Sequence, residues 1–365
     1  MNNKELISIA GKFVPEEGIK EVLPLGQGFI NDTFIIYPKN IDCPKYLLQR
    51  KNKNIFTNIP AMMENINQVT TYLKKKIRGN NGDPERESLT ITPTSEGELY
   101  YLDENKDYWA ACLFIKDSIS YEKVDSPIIA RSGGKGIGKF QKLLADFPGK
   151  LTNILPGFHD MKFRFKQWDE VLGEDRVNRK KDVKEEISWV EDRRKEMLEF
   201  WNLIEKGIIP KRVTHNDTKI TNILFDKKGE VLCMIDLDTV LSGPVLNDFG
   251  DAVRTYVNTG DEDEPDLGKV SMNLDYYREL TRGYLEEAGD FLTEPEWDNL
   301  AFAGRFITFE QVLRFLMDYI DGDRYYRIKD PEHNLVRTRA QYKLLQSMEE
   351  HFDEMQKITG QLRLK

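Results

Sequence analysis

The chain has 365 residues, of which 39% are hydrophobic and 32% charged, a composition that excludes disorder and supplies enough length for two packed lobes. Its 53 Lys and Arg against 62 Asp and Glu leave a net charge of −9, so the balance gives no electrostatic footprint for a nucleic-acid or membrane partner. Three cysteines, Cys43, Cys112 and Cys233, show no CxxC or CxxH spacing, which argues against a disulfide framework and structural zinc and fits a reducing cytoplasm.

The opening MNNKELISIAGKF lacks the apolar core of a secretory signal, and no run approaches the ~18 to 20 apolar residues that span a bilayer. The pattern predicts a short helix over Lys4 to Lys12, then strands up to Leu25, over Thr33 to Tyr37 and over Tyr46 to Lys51. Pro60 opens a helix whose Met62, Ile66, Val69 and Leu73 recur at helical spacing through Ile77. Two further strands, near Ser88 to Thr92 and over Tyr108 to Ile115, complete a sheet of about five strands. Beyond Asp117 the chain reads as helix, apart from a compact strand region near residues 212 to 236. Ser126 and Pro127 are the N-cap and first position of a long helix, and Phe163 to Glu205 reads as a charged helical stretch. DEDEPD at 261 to 266 reads as a solvated loop. The expected division is a nucleotide-binding lobe over 1–116 and a catalytic and substrate-binding lobe over 117–365.

The most specific motif is HNDTKITN, residues 215 to 222, followed after a strand by Ile235-Asp236-Leu237-Asp238. It has the form HxDxxxxN with an acidic residue about 14 positions further on. Phosphoryl transfer needs such a set: a carboxylate to accept the proton of an attacking hydroxyl, and an amide oxygen and second carboxylate to hold Mg2+ against nucleotide phosphates. Near the amino terminus, LGQGFINDTF puts Gly26 and Gly28 in a turn between strands, where backbone N–H groups can approach phosphates. No helix follows that turn, so a dinucleotide-binding reading fails and a phosphate lid remains. A second glycine cluster, GGKGIG at 133 to 138, lacks the GxxxxGK[ST] spacing and a preceding strand, and reads as close helix packing.

These residues resemble the aminoglycoside phosphotransferase and choline kinase family. The likeness runs through LGQGFINDTF, YLLQRKN, MMENI, THNDTKITNILFD, CMIDLDTVLSGPVLNDFGDAVR, RFLMDYIDGDRYYR and HNLVRTRAQYKLLQSMEE. It implies an α+β, bilobal protein-kinase-like fold. Within the family the chain is most similar to ATP-dependent kinases that phosphorylate the anomeric hydroxyl of an N-acetylhexosamine. The rival readings are another small-molecule kinase of this fold, for choline, another sugar or an aminoglycoside, and a nucleotide-binding scaffold without turnover.

Carried over residue by residue, the resemblance makes Asp217 the catalytic base, Asn222 and Asp236 the Mg2+ ligands, and Asp248 a brace for the catalytic loop. Asp238 either helps the metal or fixes its loop. His215 packs and hydrogen-bonds. For ATP it implies Gly26, Gly28 and Thr33 at the glycine turn, and backbone groups around Ile115 at the adenine. On the strand Leu47-Leu48-Gln49-Arg50-Lys51 the register leaves Gln49 or Arg50 toward the phosphates; Arg50, paired with Glu64, is the expected one. For the sugar it implies Asp217, Arg314 and Tyr325.

Overall fold

The computed structural model describes residues 3–15, 18–26, 30–40 and 43–363. The chain divides into two units: Met1–Ser120 with Asp146–Leu155 and Ile223–Leu241, and Tyr121–Ala145 with Pro156–Asn222 and Ser242–Lys365. The first unit's opening segment ends at Ser120, and the unit also takes two later segments that the expected lobes over 1–116 and 117–365 do not divide off. The two returning segments left no mark in the sequence, because contacts between distant residues define them.

In the first unit an antiparallel sheet is built from β1 (Ile19–Pro24), β2 (Asp32–Pro38), β3 (Tyr46–Lys51), β4 (Ile91–Thr92), β5 (Tyr101–Leu102) and β6 (Tyr108–Leu113). Its order is β1-β2-β3-β6-β4, with β5 also pairing β6. The strand beyond the expected five, Tyr101–Leu102, is too short to show an alternation. On β3, Leu48 lies opposite Phe34 and Ala111, and Arg50 lies opposite Asp32 and Trp109. Residues two apart share a face, so Leu48 and Arg50 look one way and Gln49 and Lys51 the other. Helix α1 (Asn3–Ala10) covers the Leu48 face, where Leu6, Ile9 and Ala10 pack with Val22, Ile36, Leu48 and Trp109.

Helix α2 (Ile59–Gly79) starts where expected: the Asn58 side chain accepts from Ala61 N at 3.1 Å, and Pro60 sits in the first turn. Its stripe Met62, Ile66, Val69, Leu73 and Ile77 is buried. The hairpin β8 (Ile223–Phe225) and β9 (Val231–Met234) also belongs to this unit. A bridge ties it there, with Ile119 and Phe225 exchanging backbone hydrogen bonds of 2.8 Å each.

The second unit contains the strand β7 (Arg212–Thr214) and is otherwise mainly helical: α3 (Pro127–Leu144), α4 (Met161–Glu174), α5 (Lys184–Glu205), α6 (Val245–Tyr256), α7 (Leu274–Ala288), α8 (Glu294–Ile320), α9 (His333–Glu350) and α10 (Phe352–Arg363). The GGKGIG run lies inside α3. A Cβ on Gly134 would stand 2.3 Å from the Leu280 carbonyl oxygen, and one on Gly283 would stand 2.0 Å from that of Arg131. The backbones of α3 and α7 therefore touch, and these glycines serve packing rather than phosphate binding.

Two expectations change. The stretch Phe163 to Glu205 is two helices, because the chain turns at Asp175 and Asn178, both at positive φ, before α5 begins. The segment 261 to 266 is not simply solvated: Glu262 pairs with the buried Arg254 at 2.8 Å, and Asp263 meets Lys329 at 2.6 Å and His333 at 2.9 Å. The hydrogen bond from Lys329 outweighs partial burial and, with His333, brings the Asp263 carboxyl down to about 2. Among the described residues no helix is long and apolar enough to cross a membrane.

Candidate active site

The loop after β7 is held by α6. Asp248, Asp251 and Arg254 recur at three-residue spacing and so share one helix face. Asp248 is 0% exposed and its carboxylate accepts from His215 N at 3.0 Å, Asn216 N at 2.7 Å and Gln141 Nε2 at 2.9 Å. Burial raises its pKa against those bonds and the nearby His215. Asp251 accepts from Thr218 N at 2.8 Å and is paired in turn with Arg254 at 3.0 Å. Thr218 Oγ1 donates to the Asp248 carbonyl at 2.6 Å. His215 packs against Phe140, its ring edge-on, and its Nδ1 accepts from Asp217 N at 3.3 Å. Asn216 adopts φ +65°, a conformation asparagine tolerates. These contacts use the backbone on both sides of Asp217, so that its side chain projects from a fixed turn.

Asp217 itself is held on both oxygens. Lys219 Nζ lies 2.9 Å from Oδ1, and Asn222 Nδ2 donates to Oδ2 at 3.0 Å and to the Asp217 carbonyl at 2.9 Å. Burial pushes the Asp217 pKa up, but Lys219, with His215 and Arg254, more than offsets it, and the carboxyl rests below its ordinary range. It is a carboxylate at neutral pH, able to accept a proton. With its amide nitrogen engaged by Asp217, Asn222 has its oxygen left to offer a cation.

Asp236, in the first unit, precedes a short 3-10 turn, Leu237–Thr239, and has φ +57° and ψ +58°. Among the described residues no group of three His, Cys, Asp or Glu side chains converges as a metal cage. Mg2+ usually takes one or two protein oxygens and completes its shell with phosphates and water. Asn222 and Asp236 are oxygen donors of the right chemistry.

At the glycine turn, Gly26 has φ +62° and open space where a side chain would stand, the backbone a glycine adopts without strain. Gly28 lies outside the described residues. Thr33 is on β2 opposite Gln49, whose Nε2 donates to its Oγ1 at 3.4 Å. The Ile115 side chain is buried and its carbonyl accepts from Ser118 Oγ at 2.7 Å.

The expected pairing of Arg50 with Glu64 is corrected. Arg50 Nε donates to Asp32 Oδ2 at 2.9 Å, and its guanidinium lies 5.8 Å above the Trp109 ring, while exposed Glu64 accepts from Gln68 at 3.1 Å. The cause is the pleat: Arg50 shares the α1-covered face with Leu48. A shift of one residue changes the face, and the residue buried on the other side is Lys51. Sequence reading passed over Lys51, although its alternation with Gln49 was the available signal.

Arg314 and Tyr325 do come together. The Arg314 guanidinium lies 5.8 Å from the Tyr325 ring, 5.6 Å from Tyr326 and 5.7 Å from Phe158. Asp318, one helical turn after Arg314, shapes the loop by accepting from the backbone N–H of Arg324 at 2.9 Å, Tyr325 at 2.8 Å and Tyr326 at 2.9 Å. One turn before Arg314, buried Glu310 holds His159 Nδ1 at 2.6 Å and Arg164 Nε at 3.3 Å. Burial disfavours its charge, but His159 and Arg164 prevail and keep its pKa well below the usual range. Among the described residues His159 Nε2 and the Tyr326 hydroxyl are buried with no hydrogen-bond partner. Sequence reading missed Asp318, Glu310 and His159 as parts of this region, because lone acids and histidines in helical surroundings carry no spacing signal.

The model of APH, the phosphotransferase enzyme family, matches residues 84–292, more than half of the chain and the part that holds the 215–222 loop, Asp236 and Asp248. Three solved structures share the fold across nearly their whole lengths. A spectinomycin phosphotransferase in complex with ADP and spectinomycin aligns with a TM-score of 0.61 at 11% identity, covering 97% of this chain and 99% of that one. A microcompartment-associated aminopropanol kinase gives 0.64 at 12% identity, over 97% and 98%. An ethanolamine kinase from Plasmodium vivax gives 0.55 at 12% identity, over 92% and 86%.

Proposed function

The chain belongs to the phosphotransferase enzyme family, and from that premise we propose that it is a cytoplasmic, ATP-dependent small-molecule kinase. The acceptor is the anomeric hydroxyl of an N-acetylhexosamine, GlcNAc or GalNAc, and the products are the sugar 1-phosphate and ADP. The observation that carries the phosphoryl-transfer reading is the fixed Asp217 carboxylate, held by Lys219 and Asn222 on a loop braced by Asp248.

In this reading Asp217 orients the sugar hydroxyl and takes its proton as that oxygen bonds to the γ-phosphorus and the bond from the γ-phosphorus to the ADP oxygen breaks. Asn222 and Asp236 supply oxygens to Mg2+, which when bound neutralises phosphate charge. Thr33, Gly26 and Gly28 are assigned to the phosphates, and the backbone at Ile115 to the adenine edge. Arg50 no longer has the expected Glu64 partner, so its assignment to the phosphates loses that support.

The acceptor reading rests on Arg314. A guanidinium surrounded by Phe158, Tyr325 and Tyr326 offers N–H donors and apolar ring faces, which suit a neutral polyol ring. The same fixed positive charge opposes choline, an amino alcohol or a polycationic aminoglycoside, and those rings already hold a cation.

The test is a panel of N-acetylhexosamines, other sugars, choline, amino alcohols and aminoglycosides with Mg·ATP, with the phosphorylated position read by 31P NMR. Turnover of N-acetylhexosamines at the anomeric carbon is the expected result; turnover confined to the amines overturns the acceptor. Arg314→Ala should lower kcat/KM for the sugar about 10- to 100-fold, the ~1.5 to 3 kcal/mol of a hydrogen bond to a charged group, with little change in the KM for ATP. Equal damage to both saturation curves removes Arg314 from the acceptor site.

A further inference from the structure

The first unit buries a lysine that the mechanism above does not use. Lys51, the last residue of β3, is 5% exposed. Its ammonium lies 2.7 Å from Asp238 Oδ1, 3.0 Å from Asp238 Oδ2 and 2.7 Å from Gln49 Oε1. Asp238 is 4% exposed, and its Oδ2 also accepts from Asn31 Nδ2 at 2.7 Å. The chain of bonds continues: Asn31 Oδ1 accepts from Asn52 N at 3.0 Å, and Asn52 Nδ2 donates to the Ile30 carbonyl at 3.2 Å. Three segments distant in sequence, the start of β2, the end of β3 and the turn after β9, are fastened at one carboxylate.

A buried ion pair of this kind adds little stability over an apolar pair of the same volume, and its best-attested use is to specify one arrangement of the groups it joins. Here the arrangement it specifies is local. Asp238 lies within the Leu237–Thr239 turn, and the residue that opens the turn, Asp236, is in the left-handed region that few side chains adopt. The Lys51 ammonium is matched by both Asp238 oxygens and Gln49 Oε1, and Asp238 accepts three hydrogen bonds, one on Oδ1 and two on Oδ2, so both side chains are committed to fastening the turn in this arrangement.

We infer that Lys51 is a positioning residue, which through Asp238 holds the Leu237–Thr239 turn and thereby the backbone of Asp236 in the conformation used for the nucleotide-bound cation. The inference rests on the proposed role of Asp236 in metal binding. It also gives Asp238 the loop-fixing role, through its carboxylate's bonds to Lys51 and Asn31.

Two measurements test it. In the wild-type chain without nucleotide or metal, the amides of Leu237 to Thr239 should exchange with solvent as slowly as those of β8 and β9; exchange at the rate of an open loop overturns the clamp. The second measurement is calorimetric binding of a non-hydrolysable ATP analogue with and without Mg2+. The variant is K51M/D238L, which removes both charges together and leaves no buried ion alone. It should fold, bind the metal-free analogue within twofold of wild type, and lose at least tenfold of the affinity that Mg2+ adds. The variant K51R, which keeps the charge, should recover most of that loss. An unchanged Mg2+ increment in the folded double variant, equal losses with and without Mg2+, or failure of the double variant to fold each overturns the positioning role. Absence of any Mg2+ increment in the wild type removes the metal role of Asp236 itself, and the inference with it. Those outcomes separate the two failures.

Discussion

Asp217→Asn is expected to lower kcat by about 10²- to 10⁴-fold, the loss typical of a positioned general base, while leaving nucleotide affinity near wild type. The substitution keeps the size and shape of the side chain and removes its charge. Asn222 Nδ2 then faces an amide in place of a carboxylate oxygen 3.0 Å away, and Lys219 loses its ion pair. Steady-state kinetics on the folded variant decide it, and near-wild-type kcat removes Asp217 from the mechanism. A pH profile gives an independent sign. Burial raises the pKa of Asp217, and Lys219 with His215 and Arg254 lowers it by more, so the acid limb of kcat/KM should lie below the ordinary aspartate range. Replacing Lys219 by Met leaves burial unopposed by that charge, and the limb should move to higher pH. A limb that stays in place shows that another group controls it.

Substitution of Asp236 should remove Mg2+-supported turnover to background, an effect as large as that at Asp217. Two variants separate charge from backbone. Alanine at φ +57° takes on the cost of a left-handed conformation, roughly 1 to 2 kcal/mol, whereas asparagine visits that region readily. Asp236→Ala should therefore melt at a lower temperature than wild type, and Asp236→Asn close to it, with both inactive across a Mg2+ titration. Thermal melts beside the activity curves give the comparison. A folded variant that turns over with normal Mg2+ dependence refutes the ligand assignment.

The elements that sequence alone determined are those set by short-range rules. The Ser126 cap with Pro127, the helix opened by Pro60, the stripe from Met62 to Ile77 and the strand from Tyr46 to Lys51 follow from local donors, spacing and alternation. So does the HNDTKITN loop, because phosphoryl transfer restricts which side chains can stand at which intervals. The packing role of the glycines at 133, 134 and 138 was legible for the same reason, since a helical pattern ran through them.

What only the tertiary structure decided depends on atoms far apart in the chain. Whether Arg50 or Lys51 turns inward is a matter of one residue in register, and an isolated strand of charged and apolar residues does not state which face α1 will cover. The partner of Lys51 stands 187 residues away, at Asp238, and the brace on His215 and Asn216 comes from Asp248 on another helix. Likewise Glu262 and Asp263, a solvated acidic run by composition, became paired because Arg254 and Lys329 fold back to them, with His333 hydrogen-bonded to Asp263. A buried charge is stable only with its counter-charge in reach, and that partner is chosen in three dimensions. The residue types of the loop and their spacing were therefore written in the local sequence, and the supports that hold its groups in place were decided by the fold.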